Sequence, residues 1–320
     1  MKTLKILTFL LMLPAAGAAW ATEVNVVAAI PDLGVMAKRI GGDRIELTVL
    51  ASGREDLHGV PARPSFIPKL HKADLLLTLG LDAEHAWLPA LAAEARNARI
   101  MEDREGWIEV FEGVELEDVP EVISRAEGEQ HAEGNPHINI GPQNGRVMAE
   151  NIAYALMEFD PAGEDLYQAN LDAYLAELEA MEASLRERGR RLRGHTVISY
   201  HADISYLARF YGFEVIGTLE PKPGIEPTAR HLARLAKESR ERGVCLVIYN
   251  QAQPAKLPEK FAKRVDAQAV MIGNMVGAVP GVETWRELQE YNLRVLLEGL
   301  DQVGCCPPIR SASTWTVGIS

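Results

Sequence analysis

Short apolar runs rich in β-branched residues alternate along the chain with stretches whose apolar residues recur at helical spacing. In the first half, the runs that predict strands are VNVVAAI, ELTVL, DLLLTL and ARIM, and PDLGVMAKRI and residues 84–97 predict helices between them. The second half repeats the alternation, with predicted strands TVISY, EVIGTL, CLVIY and AVMIG. This pattern is typical of α/β units that build mainly parallel sheets.

A long helical pattern separates the two halves. Between residues 162 and 193, apolar residues such as Leu171, Leu178 and Leu185 recur at helical spacing. A helix of about 28 residues would be roughly 42 Å long at about 1.5 Å per residue. The expected fold is therefore α/β, with two lobes that each hold a mainly parallel sheet flanked by helices and that are joined by one long rigid helix.

The start of the chain predicts a segment that is removed before folding. MKTLKILTFLLMLPAAGAAWATEV contains two lysines, a short apolar run and small residues ending in Ala-Trp-Ala, the order of a secretory signal over residues 1–21. No cysteine lies near this junction to accept a lipid anchor. The expected location is a periplasm, and the predicted divisions of the mature chain are an N-terminal lobe over 22–161, the connecting helix over 162–193, a C-terminal lobe over 194–303 and a tail over 304–320.

The net charge limits the classes of partner. Removing residues 1–21 takes away Lys2 and Lys5 and no acidic residue, so the formal charge changes from -12 to -14. Such a chain repels phosphates, so nucleic acid and anionic membranes are poor partners. Residues 111–135 are rich in Glu and Gly and predict a long acidic loop that contains His131.

The three cysteines do not predict a disulfide framework. Cys245 lies in the apolar run VCLVIY, where a buried thiol is the expected state. Cys305 and Cys306 are adjacent, and neighbours in sequence rarely form a good disulfide.

Polar residues follow several predicted strands. His201 comes after TVISY, Glu220 after EVIGTL and Asn274 after AVMIG, and ligands of open α/β sheets bind beyond the carboxyl ends of the strands. The first half contributes His58, in the loop SGREDLHG, and His137, in EGNPHINIGPQN. Three imidazoles with one carboxylate or water form a tetrahedral zinc site, although distant histidines carry no signature of their own. Each could equally be an ordinary loop histidine.

The remaining histidines of the two predicted lobes have simpler interpretations. His71 and His85 lie on predicted helices beside charged residues and are expected to be solvated or to cap a helix. His195 precedes a predicted strand and His231 lies on a predicted helix, so both are expected to be structural or exposed.

The sequences around the three histidines resemble one family. VISYHADISYLARFYGFEVIGTLEPKPGIEPTARHLARL, REDLHGVPARPSFIPKLHKADLLLTLGLDAEHAWLP and GNPHINIGPQN are similar to the metal-ligand segments of the substrate-binding proteins of zinc and manganese ABC transporters. The resemblance runs from about Val24 to Leu300. It implies that His58, His137 and His201 are metal ligands.

The same resemblance raises the question of a fourth ligand. In the manganese branch a glutamate nine positions after the tyrosine of a Tyr-Gly pair replaces the third histidine, and here that position is Glu220. The family's usual last ligand is an aspartate, and the corresponding residue here is Asn274, whose amide oxygen brings no negative charge. We therefore predict Glu220 as the fourth ligand, with water or Asn274 as alternatives.

The resemblance implies a non-enzymatic function. The protein would be a monomer that binds Zn²⁺, or less readily Mn²⁺, and delivers it to a membrane ABC permease, and the acidic loop with His131 could collect cations or contact a metallochaperone. Three alternatives stay open. The residues leave open a hydrolytic or hydration enzyme with a zinc-bound water on three histidines. The resemblance leaves open a manganese- or iron-specific member of the family and an adhesin-like surface protein.

Overall fold

A computed structural model describes residues 23–120, 133–222 and 224–305. The predicted signal segment, His131, Cys306 and the rest of the predicted tail lie outside these residues. The described chain forms two four-stranded sheets in which every pairing is parallel, which confirms the predicted α/β class. Among the described residues, no helix combines the length and the apolar character needed to cross a bilayer.

The first sheet has the strand order β2-β1-β3-β4. Its strands are β1 Val24–Ala28, β2 Ile45–Val49, β3 Leu75–Thr78 and β4 Trp107–Glu109. The helices around it are α1 Pro31–Gly41, α2 Ile67–Lys72, α3 Leu88–Ala95 and α4 Gly145–Phe159. The central strand β3 is buried along its whole length, as expected for a parallel strand covered on both faces.

Two predictions for the first half are wrong in detail. ARIM is not a strand, since Ala98–Ile100 forms a 3₁₀ turn and the fourth strand lies further on, at β4. The side chain of Asn97 causes this turn, because it accepts a hydrogen bond from Arg99 N at 3.2 Å and donates to Ala73 O at 2.7 Å. The helix predicted over 84–97 begins only at Leu88 and is preceded by turns.

The predicted connecting helix is α5, Glu164–Arg188. Its 25 residues give a length of about 37 Å, and a 3₁₀ turn at Gly189–Leu192 follows it. The helix packs against α1 and α4 of the first sheet. Its buried face consists of Tyr167, Leu171, Leu178, Met181 and Leu185.

The second sheet has the equivalent order, β6-β5-β7-β8. Its strands are β5 Thr196–Ser199, β6 Glu214–Thr218, β7 Leu246–Asn250 and β8 Gln268–Ile272. Its helices are α6 Ser205–Tyr211, α7 Ala229–Arg242, α8 Lys256–Arg264 and α9 Trp285–Val303. The hydroxyls of Thr228 and Thr284 accept hydrogen bonds from backbone N–H groups in the first turns of α7 and α9, so both helices begin at these residues. Helix α9 packs on β7 and β8 and also contacts α5 and α1.

The expectation that Cys245 is a free buried thiol is wrong. Cys245 forms a disulfide with Cys305, and their Cα atoms are 6.0 Å apart. The pairing follows from the fold, because Cys245 directly precedes β7 and Cys305 follows the end of α9, which packs across this sheet. The disulfide therefore joins residues that are 60 positions apart in the sequence.

Candidate metal centre

Three loops bring three histidines together at the carboxyl ends of the strands. His58 lies in the loop after β2, His137 in the segment that leads to α4, and His201 directly beyond β5. One ligand atom from each imidazole lies within 4.8 Å of the other two. The ring centroids are 5.0 Å apart for His58 and His137, 5.3 Å for His137 and His201, and 5.9 Å for His58 and His201. His137 is buried and the other two are half-buried.

Each imidazole donates a hydrogen bond through Nδ1. His58 donates to the carbonyl of Ala83 at 3.0 Å, His137 to Oδ1 of Asn135 at 2.8 Å, and His201 to Oε2 of Glu220 at 2.8 Å. Acceptors at all three positions favour the tautomer with its proton on Nδ1, which puts the lone pair on Nε2, the nitrogen that could bind a metal. The Nε2 atoms of His58 and His137 are already 3.1 Å apart.

Asn135 links two of the histidine loops, and sequence reasoning missed it. Its Oδ1 accepts from both the backbone N and the Nδ1 of His137, an arrangement typical of an Asx turn. Its Nδ2 donates to the carbonyl of Ala202 at 2.8 Å, next to His201. The Asn-Pro-His order in the sequence was the available signal, because an Asn two residues before a ligand can bond back to it.

Glu220 lies outside the group of three residues that could hold a metal. Its carboxylate accepts the hydrogen bond from Nδ1 of His201 and so orients this imidazole. Burial would lower the pKa of His201, but the hydrogen bond to Glu220 and the nearby carboxylates of Asp203 and Asp56 together raise that pKa above its ordinary value. A more basic imidazole is a stronger metal ligand once it is deprotonated. Direct coordination by Glu220 stays a prediction.

Asn274 is held by a neighbouring amide. Its Oδ1 accepts a short hydrogen bond from Nε2 of Gln251, and its backbone N donates to Oε1 of Gln251 at 3.2 Å. Gln251 also donates to the carbonyl of Gly53, in the loop that carries His58. The oxygen that could have served as a ligand is therefore already engaged with Gln251.

Asn139, two residues after His137, joins elements of both sheets. Its buried side chain donates to Oδ1 of Asp32 on α1 at 3.1 Å and to the carbonyl of Asn274, beyond β8, at 2.8 Å. Its own carbonyl accepts from Nε1 of Trp285 at 3.0 Å and from Nε2 of Gln289 at 3.1 Å, both on α9. Sequence reasoning gave no role to this residue, because its partners lie more than one hundred positions away.

Asp32 is a fully buried carboxyl group beside this network. Burial raises its pKa to about 6, although the hydrogen bonds from Asn139 and from Val276 N act in the opposite direction. Its Oδ1 accepts from the side chain of Asn139, and its Oδ2 accepts from Val276 N, beyond β8, at 2.9 Å. The group therefore ties the start of α1 to the loop after β8.

The other histidines of the described chain stand apart from the centre. His71 donates to the carbonyl of Ala95 at 2.8 Å, and His85 lies in the turns before α3, not on a helix, with Nδ1 2.7 Å from the carbonyl of Asp82. His195 is buried beside Sγ of Cys245, and His231 contacts the carbonyl of Thr218 at 2.9 Å.

A cavity of about 360 Å³ adjoins the centre. Its lining includes His137, His201, Asp118 and residues 215–218 of β6. A hydrated cation fits this volume, which lies directly against His137 and His201.

Comparisons with known proteins place the chain in one family. Residues 26–299 match the model of the family described as zinc-uptake complex component A, periplasmic. The iron-binding protein YfeA of Yersinia pestis is 26% identical over 300 residues, which cover 88% of this chain and 88% of that protein. The manganese ABC transporter substrate-binding lipoprotein PsaA of Streptococcus pneumoniae is 23% identical over 289 residues, covering 88% of this chain and 90% of that protein.

The fold agrees with this match. A crystal structure of a ZnuA deletion mutant with zinc bound is similar with a TM-score of 0.71 and 25% identity, covering 89% of this chain and 100% of that chain. The chain therefore belongs to the zinc-uptake complex component A family, whose members are substrate-binding proteins of metal ABC transporters.

Proposed function

We propose that the protein is an exported carrier that binds one Zn²⁺ ion through His58, His137 and His201 and delivers it to the membrane permease of an ABC transporter. The observation that supports this proposal is the convergence of three imidazoles, each with an acceptor on Nδ1, within 4.8 Å. Delivery to a permease is the function of the family.

The choice of zinc rests on the donor atoms. Imidazole nitrogen suits Zn²⁺, whereas Mg²⁺, Ca²⁺ and Mn²⁺ prefer shells richer in carboxylate and water oxygen. Relatives named for iron and for manganese make this choice a matter for experiment. A manganese- or iron-specific protein is the alternative within the family.

The fourth ligand in this proposal is Glu220, with water or Asn274 as the alternatives. Coordination by Glu220 requires its carboxylate to leave Nδ1 of His201 or to turn its second oxygen towards the metal. Coordination by Asn274 requires the bond from Gln251 to break. A bound water needs neither change.

Location and partners complete the proposal. The signal segment over residues 1–21 directs the chain to a periplasm, where it acts as a monomer. The acidic loop that contains His131 collects cations or contacts a metallochaperone. Release of the mature protein in osmotic-shock fluid supports this location, and retention at the cell surface contradicts it and favours the adhesin-like alternative.

Elemental analysis of protein purified without added metal, followed by competition titrations, tests the metal assignment. His201→Ala should weaken zinc binding more than about 100-fold, beyond the range for outer-shell partners, while the circular dichroism spectrum stays unchanged. Equal zinc affinity in His201→Ala and wild type contradicts the proposal. His231→Ala is the matched control, because this imidazole lies outside the centre.

Two further variants identify the fourth ligand. Glu220→Gln keeps a hydrogen-bond acceptor for His201 but loses the carboxylate, whereas Glu220→Ala loses both. Equal large losses in the two variants indicate a ligand, and a loss confined to Glu220→Ala indicates an orienting role. A gain in zinc affinity in Asn274→Asp shows that this position reaches the metal.

An enzyme is the alternative outside the family's function. Three histidines and a zinc-bound water can hydrolyse esters or hydrate CO₂. Zinc-loaded protein should show tight stoichiometric binding and no turnover of model esters or CO₂. Turnover that is lost in His201→Ala decides for the enzyme.

A further inference from the structure

A turn with unusual backbone geometry supports His58. Gly80, Leu81 and Asp82 all have positive φ, at 82°, 55° and 60°, although left-handed backbone is unfavourable for residues other than glycine. The turn closes through a hydrogen bond from Ala83 N to the carbonyl of Gly80 at 3.0 Å. Such a conformation persists only where its surroundings hold it.

Glu84 holds this turn from inside the protein. Its Oε1 accepts from the backbone N of Leu79 at 3.0 Å, across the left-handed residues. Its backbone carbonyl accepts from the N–H groups of Trp87 and Leu88, at 3.1 and 3.0 Å, where α3 begins. The side chain and the backbone of Glu84 together thus join the end of β3 to the start of α3.

The turn and α3 contact the segment of His58 at two points. The carbonyl of Ala83, next to Glu84, accepts the Nδ1 proton of His58 at 3.0 Å. The indole Nε1 of Trp87 donates to the carbonyl of Leu57 at 3.0 Å. The position of the Ala83 carbonyl therefore fixes the ring orientation and the tautomer of His58.

We propose that Glu84 is a positioning residue for metal binding, which holds residues 80–84 so that the Ala83 carbonyl meets Nδ1 of His58. This inference rests on the proposed function, since it assumes that His58 is a ligand. It assigns a role in the centre to a residue that does not touch the metal.

The protonation state of Glu84 decides which side chain can replace it. The residue is 4% exposed, and burial raises its pKa to about 8, with the nearby charge of Glu109 acting in the same direction. Burying a carboxyl group is unfavourable when no cation pairs with it. At neutral pH the group is mainly protonated, so it acts as a neutral hydrogen-bonding side chain that Gln can imitate.

Two substitutions of similar shape test the inference. Glu84→Gln keeps an oxygen acceptor for Leu79 N, whereas the unbranched Glu84→Met fills similar space without one. Zinc affinity, measured by competition titration and normalised to folded protein, should fall about tenfold in Glu84→Met, the lower end of the range for outer-shell partners, and stay within about twofold in Glu84→Gln. Wild-type affinity in Glu84→Met overturns the inference.

A control variant separates positioning from general stability. Asn97→Ala removes hydrogen bonds to the carbonyls of Leu70, His71 and Ala73 in the same lobe, away from the His58 loop. It should lower the urea midpoint without changing zinc affinity. An equal loss of zinc affinity in Asn97→Ala and Glu84→Met shows that the effect is structural and overturns the inference.

A spectroscopic measurement covers the case in which Glu84→Met does not fold. In metal-free wild type, the Nδ1 proton of His58 should give a hydrogen-bonded, slowly exchanging imidazole signal that Glu84→Gln retains. Absence of this signal from the wild type overturns the inference. Failure of the proposed function looks different, since then the wild type itself binds no zinc and His58→Ala changes nothing.

Discussion

The disulfide between Cys245 and Cys305 joins the end of α9 to the start of β7, and its removal gives a stability change of calculable size. The two cysteines are 60 positions apart. In the chain-entropy account, a cross-link restricts the unfolded chain, with about 3 kcal/mol for a loop of about 15 residues and about 4.7 kcal/mol for about 100. A loop of 60 residues therefore gives about 4 kcal/mol.

A pair of variants isolates this contribution. Cys306→Ser leaves the disulfide in place, and Cys305→Ser/Cys306→Ser removes it without leaving a neighbouring thiol that could pair with Cys245. Urea unfolding of both variants in EDTA, followed by circular dichroism, should show a free energy of unfolding about 4 kcal/mol lower in the double variant. That is a large fraction of the 5–15 kcal/mol that is typical of native proteins.

Two results would refute the reasoning. Equal unfolding curves for the two variants would show that the cross-link does not form or does not limit the unfolded chain. A loss of the whole contribution of about 4 kcal/mol in Cys306→Ser alone, relative to wild type, would show that Cys306 is the partner of Cys245. Peptide mapping under non-reducing conditions distinguishes these cases, because the Cys245–Cys305 pair predicts one defined cross-linked peptide.

Three further predictions concern the buried network, the contact of α4 with α9, and the pH response. The folded-state pKa of Asp32, about 6, lies above its ordinary 3.8, so its contribution to stability is full below pH 3.8 and is lost as pH rises through 6. Urea titrations should therefore show the free energy of unfolding of Asp32→Asn rising relative to wild type by about 2.4 kcal/mol from pH 4 to pH 8. In Gly145→Ala, the new Cβ would lie 2.4 Å from the ring of Trp285, so thermal unfolding should show a loss of roughly 1–3 kcal/mol, whereas Gly59→Ala, with no atom closer than 3.7 Å, should lose far less. Zinc affinity should fall as pH drops through about 6.5, and from a higher pH for His201, whose pKa is raised, by up to about tenfold per pH unit for each imidazole that must lose a proton. A titration that is flat from pH 7 to pH 5 contradicts coordination by imidazole.

The strands were predictable where the chain is buried on both sides. Strand β3 begins with three consecutive leucines because it is a central parallel strand, and such apolar runs stand out in a sequence. The edge strand Trp107–Glu109 is three residues long and half-buried, so its pattern is too short to detect. Ala98–Ile100 has a more strand-like sequence than β4. It forms a 3₁₀ turn because the side chain of Asn97 bonds to the carbonyl of Ala73, which lies 24 positions earlier in the chain.

The sequence could indicate the three histidines of the candidate site, but not the hydrogen bonds that orient the side chains around it. His58, His137 and His201 could be selected because each lies in a predicted loop, within a segment that resembles the family. The hydrogen bond between His201 and Glu220, and that between Gln251 and Asn274, depend on side-chain positions that no spacing rule specifies. The left-handed residues before Glu84 include Leu81 and Asp82, where sequence preference argues against such backbone.

Asn139, in the loop that carries His137, connects elements that flank the first sheet with elements that flank the second. Four hydrogen bonds to one asparagine connect α1, the loop after β8 and α9, and His137 lies two residues before it. If the two sheets moved apart as rigid bodies, the hydrogen bonds from Asn139 to the elements of one of them would all break at once. We therefore expect metal to leave by stepwise ligand exchange, in which the half-buried His58 and His201 swing away one after the other while His137 keeps its place.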